Sequence, residues 1–215
     1  SMTLEMKSPI AGIRGASELL HEELPAEKRT QFLNNIKTES VRLQNLVDQL
    51  LALSSLENRT KLGAPTDVSM GSLLRRVVKQ HQSSLLGKDI CFEIDAREDP
   101  VVSGEEFLLE TALSNLVQNA IDFSPSGGSI ALILRIDDQE LRLTILDEGP
   151  GIPDYALERI FDRFYSLPRP NSEHKSSGLG LCFAREAIEL HGGSLGLKNR
   201  GDRSGVRADL ILPQL

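Results

Sequence analysis

Tryptophan is absent from the 215-residue sequence, and tyrosine and phenylalanine contribute only two and seven residues. We therefore expect leucine, isoleucine and valine to fill the core. Cysteine is also scarce. Cys91 and Cys182 lie far apart and form neither a C-x-x-C pair nor a metal-ligand pattern, which favours two reduced structural thiols over a disulfide framework or a zinc site.

Basic clusters are missing as well. The chain carries 24 Lys and Arg against 31 Asp and Glu, a net charge of -7. This balance argues against a nucleic-acid-binding or membrane-surface protein. No signal peptide is evident, and no apolar run approaches the 18 residues needed to cross a bilayer. Ser1-Met2 resembles an expression remnant, so we expect a piece of a longer protein.

Two amphipathic helical patterns begin the chain, separated near Pro25, which suits a helix start. The apolar positions at helical spacing are Ile10, Ile13, Leu20 and Leu24 in the first and Leu43, Leu46, Leu50 and Leu53 in the second. Pro9 is expected to kink the first helix because it removes a backbone donor. Two such helices cannot bury their apolar faces alone, so the pattern predicts a hairpin that forms a four-helix bundle from two chains.

Mixed elements follow this hairpin, and Gly63 and Pro65 predict a linker over residues 63–68 between domains at 1–62 and 69–215. We predict helices at 73–86, 105–123 and 178–191, and strands at 90–94, 129–136, 141–146, 194–198 and 206–212. Turn residues at 137–139 and 200–202 indicate two hairpins. The fold class is therefore α+β: the helical hairpin, then an α/β sandwich with helices on one face of a single sheet.

Three short motifs carry candidate chemistry. Asn115 and Asn119 lie four residues apart on one helix face, where amide oxygens could serve Mg²⁺ or simply cap or solvate the helix. Asp147 ends a strand and precedes Gly149 and Gly151, which would let a ligand approach the backbone closely, although a plain turn has the same pattern.

The third motif is Ser176-Ser177-Gly178-Leu179-Gly180-Leu181, which opens a helix and offers backbone N–H groups to an anion. It is neither a P-loop nor a dinucleotide-binding fingerprint, because it lacks the G-x-x-x-x-G-K pattern and does not follow a strand. By itself the G-x-G pattern is weak evidence.

The order of these motifs, with Phe161-Asp162-Arg163-Phe164 between the last two, resembles the N, G1, F and G2 boxes of bacterial sensor histidine kinases. The resemblance implies an ATP-binding domain of the type shared with gyrase and Hsp90, with ATP and Mg²⁺ as cofactors. It implies Mg²⁺ at Asn119 and an adenine contact at Asp147. The other implied ATP-binding residues are Asn115, Gly149, Gly151, Ile152, Arg163, Tyr165, Lys175, Ser176, Ser177, Gly178, Leu179, Gly180 and Leu181, with residues 153–177 as an ATP lid.

The start of the chain resembles the H-box pattern His-Glu-x-x-x-Pro, with Glu5 and Pro9 in register and Leu4 at the histidine position. Strings such as Leu56-Glu57-Asn58-Arg59 resemble the CreC type within the family. The resemblance implies Glu5 as the general base, a homodimer, a response-regulator receiver domain as partner and a membrane-bound parent whose cytoplasmic core this is. Ser8 stands where relatives align water for dephosphorylating the regulator, or it is a plain surface serine.

Leucine has no lone pair, so we expect ATP binding without autophosphorylation. His21, His81, His174 and His191 lack the H-box context and are not expected to replace the acceptor. Many family members carry Lys or Arg at the position of Asp122, which here could repel phosphate. The alternative is a catalytically inactive module that binds nucleotide and holds or dephosphorylates a regulator. The leucine could be engineered or natural.

Overall fold

The computed structural model describes residues 2–22, 24–137, 140–169 and 176–214, with the side chains of residues 2–5 outside that description. Contacts divide the chain into two compact units, Ser1–Ser55 and Leu56–Leu215. The first unit consists of helix α1 (Met2–Leu19) and most of helix α2 (Ala26–Glu57).

The hairpin of α1 and α2 buries little of its own apolar surface. Gly12 of α1 lies against Glu39 of α2, with a Cβ at Gly12 reaching 3.4 Å from the Glu39 Cγ. Helix α1 continues through Pro9. Large apolar side chains remain exposed along both helices, namely Ile10, Leu19, Leu33, Val41 and Leu51. Of the predicted apolar positions, Leu46 and Leu53 are buried, whereas these five side chains are left without a covering layer in a single hairpin.

The second unit is an α/β sandwich, which confirms the predicted fold class. Its helices are α3 (Met70–Gln80), α4 (Gln82–Gly87), α5 (Glu106–Phe123), α6 (Asp154–Leu157) and α7 (Gly180–Leu190). Its strands are β1 (Thr66–Ser69), β2 (Cys91–Ala96), β3 (Val101–Gly104), β4 (Ser129–Asp137), β5 (Glu140–Leu146), β6 (Ser194–Asn199) and β7 (Val206–Pro213). Five strands form one sheet in the order β2-β4-β5-β7-β6, with β2 and β4 parallel and the other pairs antiparallel.

Period-two burial places the core on one face of this sheet. Along β4, Ile130, Leu132 and Leu134 are buried while the residues between them are partly exposed. Helices α5 and α7 pack against each other, and each contacts the sheet, α5 through β5 and α7 through β6 and β7. Leu109, Leu113 and Ile121 of α5 are almost completely buried. The helical layer therefore fixes α5, which carries the two candidate asparagines.

Three local features differ from the sequence predictions. The helix predicted at 73–86 is broken at His81, which ends α3 and precedes α4. Strands β1 and β3 pair in a separate two-stranded sheet that the sequence did not predict, and β1 starts inside the predicted linker. The segment after Pro153, where no helix was predicted, begins with α6 and buries Ala156 and Ile160 in a small cluster with Ile152. Pairings between distant segments of four residues leave too short a pattern to detect in sequence.

Candidate functional site

The asparagine face of α5 lies where α7 begins. Both Asn115 and Asn119 are half-buried. A Cβ at Gly180 would lie 3.1 Å from the Asn115 Oδ1, so the missing side chain lets the start of α7 approach α5 closely. Within the part of the chain that the structure describes, the Asn119 amide makes no hydrogen bond. Its oxygen and nitrogen are therefore not bonded by any described residue.

Asp147 is held at the end of β5 by backbone donors. Its Oδ1 accepts hydrogen bonds from the N–H groups of Gly149, at 2.8 Å, and Val206, at 3.0 Å. The residue is only 7 % exposed. Burial raises the pKa of this carboxyl above its ordinary value, while the two backbone hydrogen bonds oppose the rise. Both bonds end on Oδ1, so the orientation of the carboxylate is fixed and Oδ2 is left to a ligand.

Two glycines allow the backbone to close around Asp147. A Cβ at Gly205 would lie 2.0 Å from the Asp147 carbonyl oxygen, and Gly205 has φ +132°. A Cβ at Gly149 would lie 2.9 Å from the carbonyl oxygen of Phe123, the last residue of α5. These close approaches bring the aspartate and the end of α5 to one place.

The end of β6 and the loop that follows it support the same site. Sequence reasoning missed this support. Asn199 accepts the Ile152 N–H at 2.6 Å and donates to the Ile152 carbonyl at 2.8 Å. Arg200 donates to the Asp147 carbonyl at 3.0 Å, and Ser204 donates to the Gly149 carbonyl at 2.7 Å. The turn residues at 200–202 predicted a hairpin but gave no indication of which loop it would support.

The Gly178–Leu181 motif opens α7, as predicted. Gly178 has φ +64°, and its carbonyl accepts the Phe164 N–H at 3.0 Å. A Cβ there would lie 2.7 Å from the Tyr165 backbone. The Leu179 N–H donates to the Ser177 hydroxyl at 3.3 Å. The first N–H groups of α7 have no carbonyl partner within the helix, so this end carries partial positive charge toward the Asn115 side.

Arg163 and Tyr165 are engaged in contacts that hold their own segment. Arg163 lies 3.6 Å from a carboxylate oxygen of Glu186 on α7. The Arg159 guanidinium lies over the Tyr165 ring at 4.5 Å from its centroid. These contacts do not by themselves bring either side chain to a phosphate, and the predicted roles stay predictions. Lys175 and His174 lie outside the described residues.

The H-box residues begin α1. The backbone of Leu4 and Glu5 is helical, but their side chains fall outside the description. Ser8 is exposed, and Pro9 beside it is buried. Over the described ranges, no three His, Cys, Asp or Glu side chains cluster in a way that could hold a metal ion. In the same ranges, no helix has the length and hydrophobicity to cross a membrane.

The remaining histidines make structural contacts or face solvent. His81 lies 2.8 Å from the Ser114 hydroxyl. His191 is buried at the end of α7, near Ala187 and Glu105. His21 is exposed. His81 and His191 thus have structural partners of their own in the second unit.

Comparison with known proteins matches both halves of the chain. Residues 2–59 match the His Kinase A (phospho-acceptor) domain, and residues 104–214 match the histidine kinase-, DNA gyrase B-, and HSP90-like ATPase family. The sensor protein CreC of Escherichia coli K12 is 46% identical over 212 residues, covering 99% of this chain and 44% of that protein. The heme sensor protein HssS of Staphylococcus haemolyticus is 32% identical over 211 residues, covering 98% of this chain and 45% of that protein.

Solved structures show the same fold. The histidine kinase ThkA, solved in complex with the response regulator protein TrrA, has a TM-score of 0.80 at 25% identity, covering 99% of this chain and 60% of that one. The mycobacterial kinase MprB has a TM-score of 0.60 at 28% identity over 70% of this chain and 97% of that one. This chain spans less than half the length of CreC and of HssS, the two curated relatives. With a phospho-acceptor domain followed by an ATP-binding ATPase domain, the chain belongs to the sensor histidine kinase family.

Proposed function

We propose that this chain is the cytoplasmic core of a two-component sensor kinase that binds ATP with Mg²⁺ but, as written, does not phosphorylate itself. In the parent activity, a histidine at position 4 would take the γ-phosphoryl group of ATP and pass it to an aspartate of a response regulator. The observation that carries the proposal is the presence, in one chain, of a phospho-acceptor domain ahead of an ATPase domain.

The nucleotide roles follow from the positions of the motif residues. Asp147, with Oδ1 held by two N–H groups, would accept a hydrogen bond from the adenine amino group on Oδ2. Gly149, Gly151 and Ile152 would form the wall beside the base. The N–H groups from Ser176 to Leu181 would hold phosphate oxygens at the start of α7. Arg163, Tyr165 and Lys175 would be further contacts within a lid over residues 153–177.

Mg²⁺ fits the donors on α5. It keeps several waters and usually takes one or two protein oxygens together with phosphate oxygens. The Asn119 amide makes no hydrogen bond with a described residue and would supply one such oxygen. Asn115 lies one helical turn away. Bound there, Mg²⁺ would neutralise charge on the transferring phosphoryl group.

Leu4 removes the nucleophile from this arrangement. A hydrocarbon side chain can neither attack phosphorus nor accept a proton, and Glu5, the proposed general base, then has no group to activate. His21 is 17 residues further along the chain, about 25 Å on a helix, and does not replace it.

Assembly and location belong to the same proposal. The exposed apolar side chains of the hairpin, such as Leu33 and Val41, would be covered by a second copy in a four-helix bundle. We place the domains at 1–62 and 69–215 with a linker at 63–68. We place the whole in the cytoplasm, below a membrane-spanning sensor part in the longer parent protein. No role for nucleic acid is proposed.

A second candidate is a catalytically inactive module that binds nucleotide and holds or dephosphorylates its regulator. Exposed Ser8, four positions after Leu4, favours it, because a hydroxyl on the helix surface could align a water molecule at the regulator's phosphoryl aspartate. Dephosphorylation of a phosphorylated response-regulator receiver domain by this chain, and its loss in Ser8→Ala, would support that role.

The deciding experiment is autophosphorylation with γ-labelled ATP and Mg²⁺. We compare the chain as written with Leu4→His, and with Leu4→Gln as a polar control that has no nucleophilic nitrogen. We expect acid-labile label in the histidine variant alone, because only that variant has the acceptor. Label at near one phosphate per chain on the Leu4 protein contradicts the proposal. Label on none of the three, while all bind ATP, favours the inactive module.

A further inference from the structure

Helix α5 contains no lysine or arginine, although it carries the residues that would face Mg²⁺ and phosphate. Its charged residues are Glu106, Glu110 and Asp122, all acidic. The first turn of α7 contains no cation either. A triphosphate bound between these helices would therefore need positive charge from another element.

Asp122 brings such a charge to α5. It follows Asn119 by three residues, so the two side chains lie on the same helix face, about 4.5 Å apart along the axis. Its carboxylate forms an ion pair with Arg169 and accepts a hydrogen bond from the Gln118 amide at 2.7 Å. The Asp122 side chain is 13% exposed and the Arg169 side chain 21%. Because both partners are largely removed from water, separating them would leave a buried charge unpaired.

Other basic groups near the site have different partners. Arg163 faces Glu186, and Arg203 lies 3.1 Å from Glu148. The Lys88 ammonium binds main-chain carbonyls at the end of α5, including that of Asp122, and not the Asp122 carboxylate. Among the described residues, Arg169 is the arginine that pairs with Asp122, three positions after Asn119. Its buried Nε has no hydrogen-bond partner among the described residues.

We propose that Arg169 is a phosphate-binding residue of this site and that Asp122 is the positioning residue that holds its guanidinium beside Asn119. The inference rests on the proposed ATP binding and deepens it. A guanidinium presents five N–H donors in a fixed plane, so a pairing with one carboxylate leaves donors for phosphate oxygens. The acidic residue at position 122 then supplies positive charge indirectly, by recruiting an arginine from 47 positions further along the chain.

The test measures binding of Mg·ATP, Mg·ADP and adenosine by calorimetry to the chain as written and to four variants. Arg169→Ala should weaken ATP binding roughly tenfold or more, as expected for loss of a charge-assisted hydrogen bond, and leave adenosine within about twofold. Asp122→Asn should weaken ATP binding less, because the arginine remains but is no longer held. Arg97→Ala removes an exposed arginine just after β2, outside the proposed site, and should leave ATP affinity unchanged.

The fourth variant separates the proposed role from a structural one. Asp122→Lys combined with Arg169→Ala places a cation directly on α5, and should recover most of the ATP affinity lost in Arg169→Ala. Unchanged ATP affinity in Arg169→Ala, or equal losses for ATP and adenosine, overturns the inference and leaves the proposed function intact. A parent chain that binds adenosine and ATP with equal affinity also overturns the inference, whereas a parent chain that binds neither refutes the ATP site itself.

Discussion

The Asp147 carboxylate illustrates how much of this site depends on a single side chain. Two backbone donors converge on Oδ1, and the carbonyl oxygen of the same residue accepts from Arg200 and sits against Gly205. Hydrogen bonds thus fix the side chain of Asp147, and Arg200 and Gly205 fix its backbone. The sequence indicated Asp147 because an aspartate at a strand end before two glycines is a recognisable pattern.

Asp147→Asn changes the ligand-facing atom while keeping the support. The asparagine oxygen can still accept from Gly149 and Val206, so its NH₂ takes the Oδ2 position and presents a donor where adenine also has one. We expect ATP affinity to fall by about 1.5–3 kcal/mol, roughly ten- to hundredfold. The ratio of ATP affinity to GTP affinity should also fall.

Competition binding with the two nucleotides measures this change, and thermal unfolding of the variant checks that the fold is kept. Asp154→Asn, on the exposed start of α6, serves as the matched control and should bind ATP normally. An Asp147→Asn protein that kept both its ATP affinity and its selectivity would mean that the carboxylate does not read the base.

At the scale of elements, the C-terminal end of α5 is capped by Lys88, which lies between α4 and β2. The Lys88 ammonium donates to the carbonyls of Ile121, Asp122 and Ser124 at 2.7, 2.9 and 3.2 Å. These carbonyls belong to the end of a helix, where partners are lacking and the helix dipole favours a cation. The sequence predicted the end of α5 at Phe123, but nothing in it assigned Lys88 to this role.

Lys88→Met keeps most of the side-chain length and removes the three donors. We expect the free energy of unfolding to fall by about 1–3 kcal/mol, because hydrogen bonds to a charged group are lost at half-buried carbonyls. Urea unfolding measures the change. Lys79→Met, at an exposed lysine of α3, should change it by less than about 0.5 kcal/mol. Equal stabilities of the two variants would show that the Lys88 cap contributes little.

At the scale of the whole second unit, His191 joins the end of α7 to the start of α5. Its Nδ1 donates to the Ala187 carbonyl at 2.6 Å, and its Nε2 accepts the Glu105 N–H at 2.9 Å. An imidazole with one donor and one acceptor nitrogen is neutral. Glu105 in turn pairs with Arg59 and accepts the Gly63 N–H, so this corner also fastens the segment that precedes β1.

Burial lowers the pKa of His191 below its ordinary value of 6.5, while the Ala187 hydrogen bond and the Glu105 charge oppose the shift. Above pH 6.5 both folded and unfolded states hold the histidine neutral. As the pH falls below 6.5, the unfolded state takes up the proton first, so this contribution to stability is progressively lost. His81, whose pKa burial also lowers, acts in the same direction, whereas Asp122 and Asp147, with raised pKa values, act in the opposite one.

We therefore compare the unfolding free energy at several pH values between 5.5 and 8 for the parent chain and for His191→Gln. Glutamine can still accept from the Glu105 N–H but does not titrate. As the pH falls below 6.5, the unfolding free energy of the parent should fall relative to that of His191→Gln, because only the parent has a titrating group at this position. A constant difference for His191→Gln would exclude His191 as the responsible group.

The sequence predicted features that depend on neighbouring residues better than features that depend on residues far apart along the chain. The period of apolar residues is a local property, so it placed α5, α7 and β4 within a few residues. The break at His81 was missed because the apolar spacing of Leu73 to Leu86 continues across it. Strands β1 and β3 were missed because they are four residues long and pair across more than 30 positions. Asn199 was missed because its two bonds to Ile152 span 47 positions.

The sequence by itself determined the family, since the order of the asparagine, aspartate–glycine and glycine motifs is written along the chain and needs no coordinates. It also determined that position 4 holds no nucleophile. Only the tertiary structure decided which distant groups meet. The acidic Asp122, expected from sequence to repel phosphate, forms an ion pair with Arg169, because folding brings together residues that no local pattern connects.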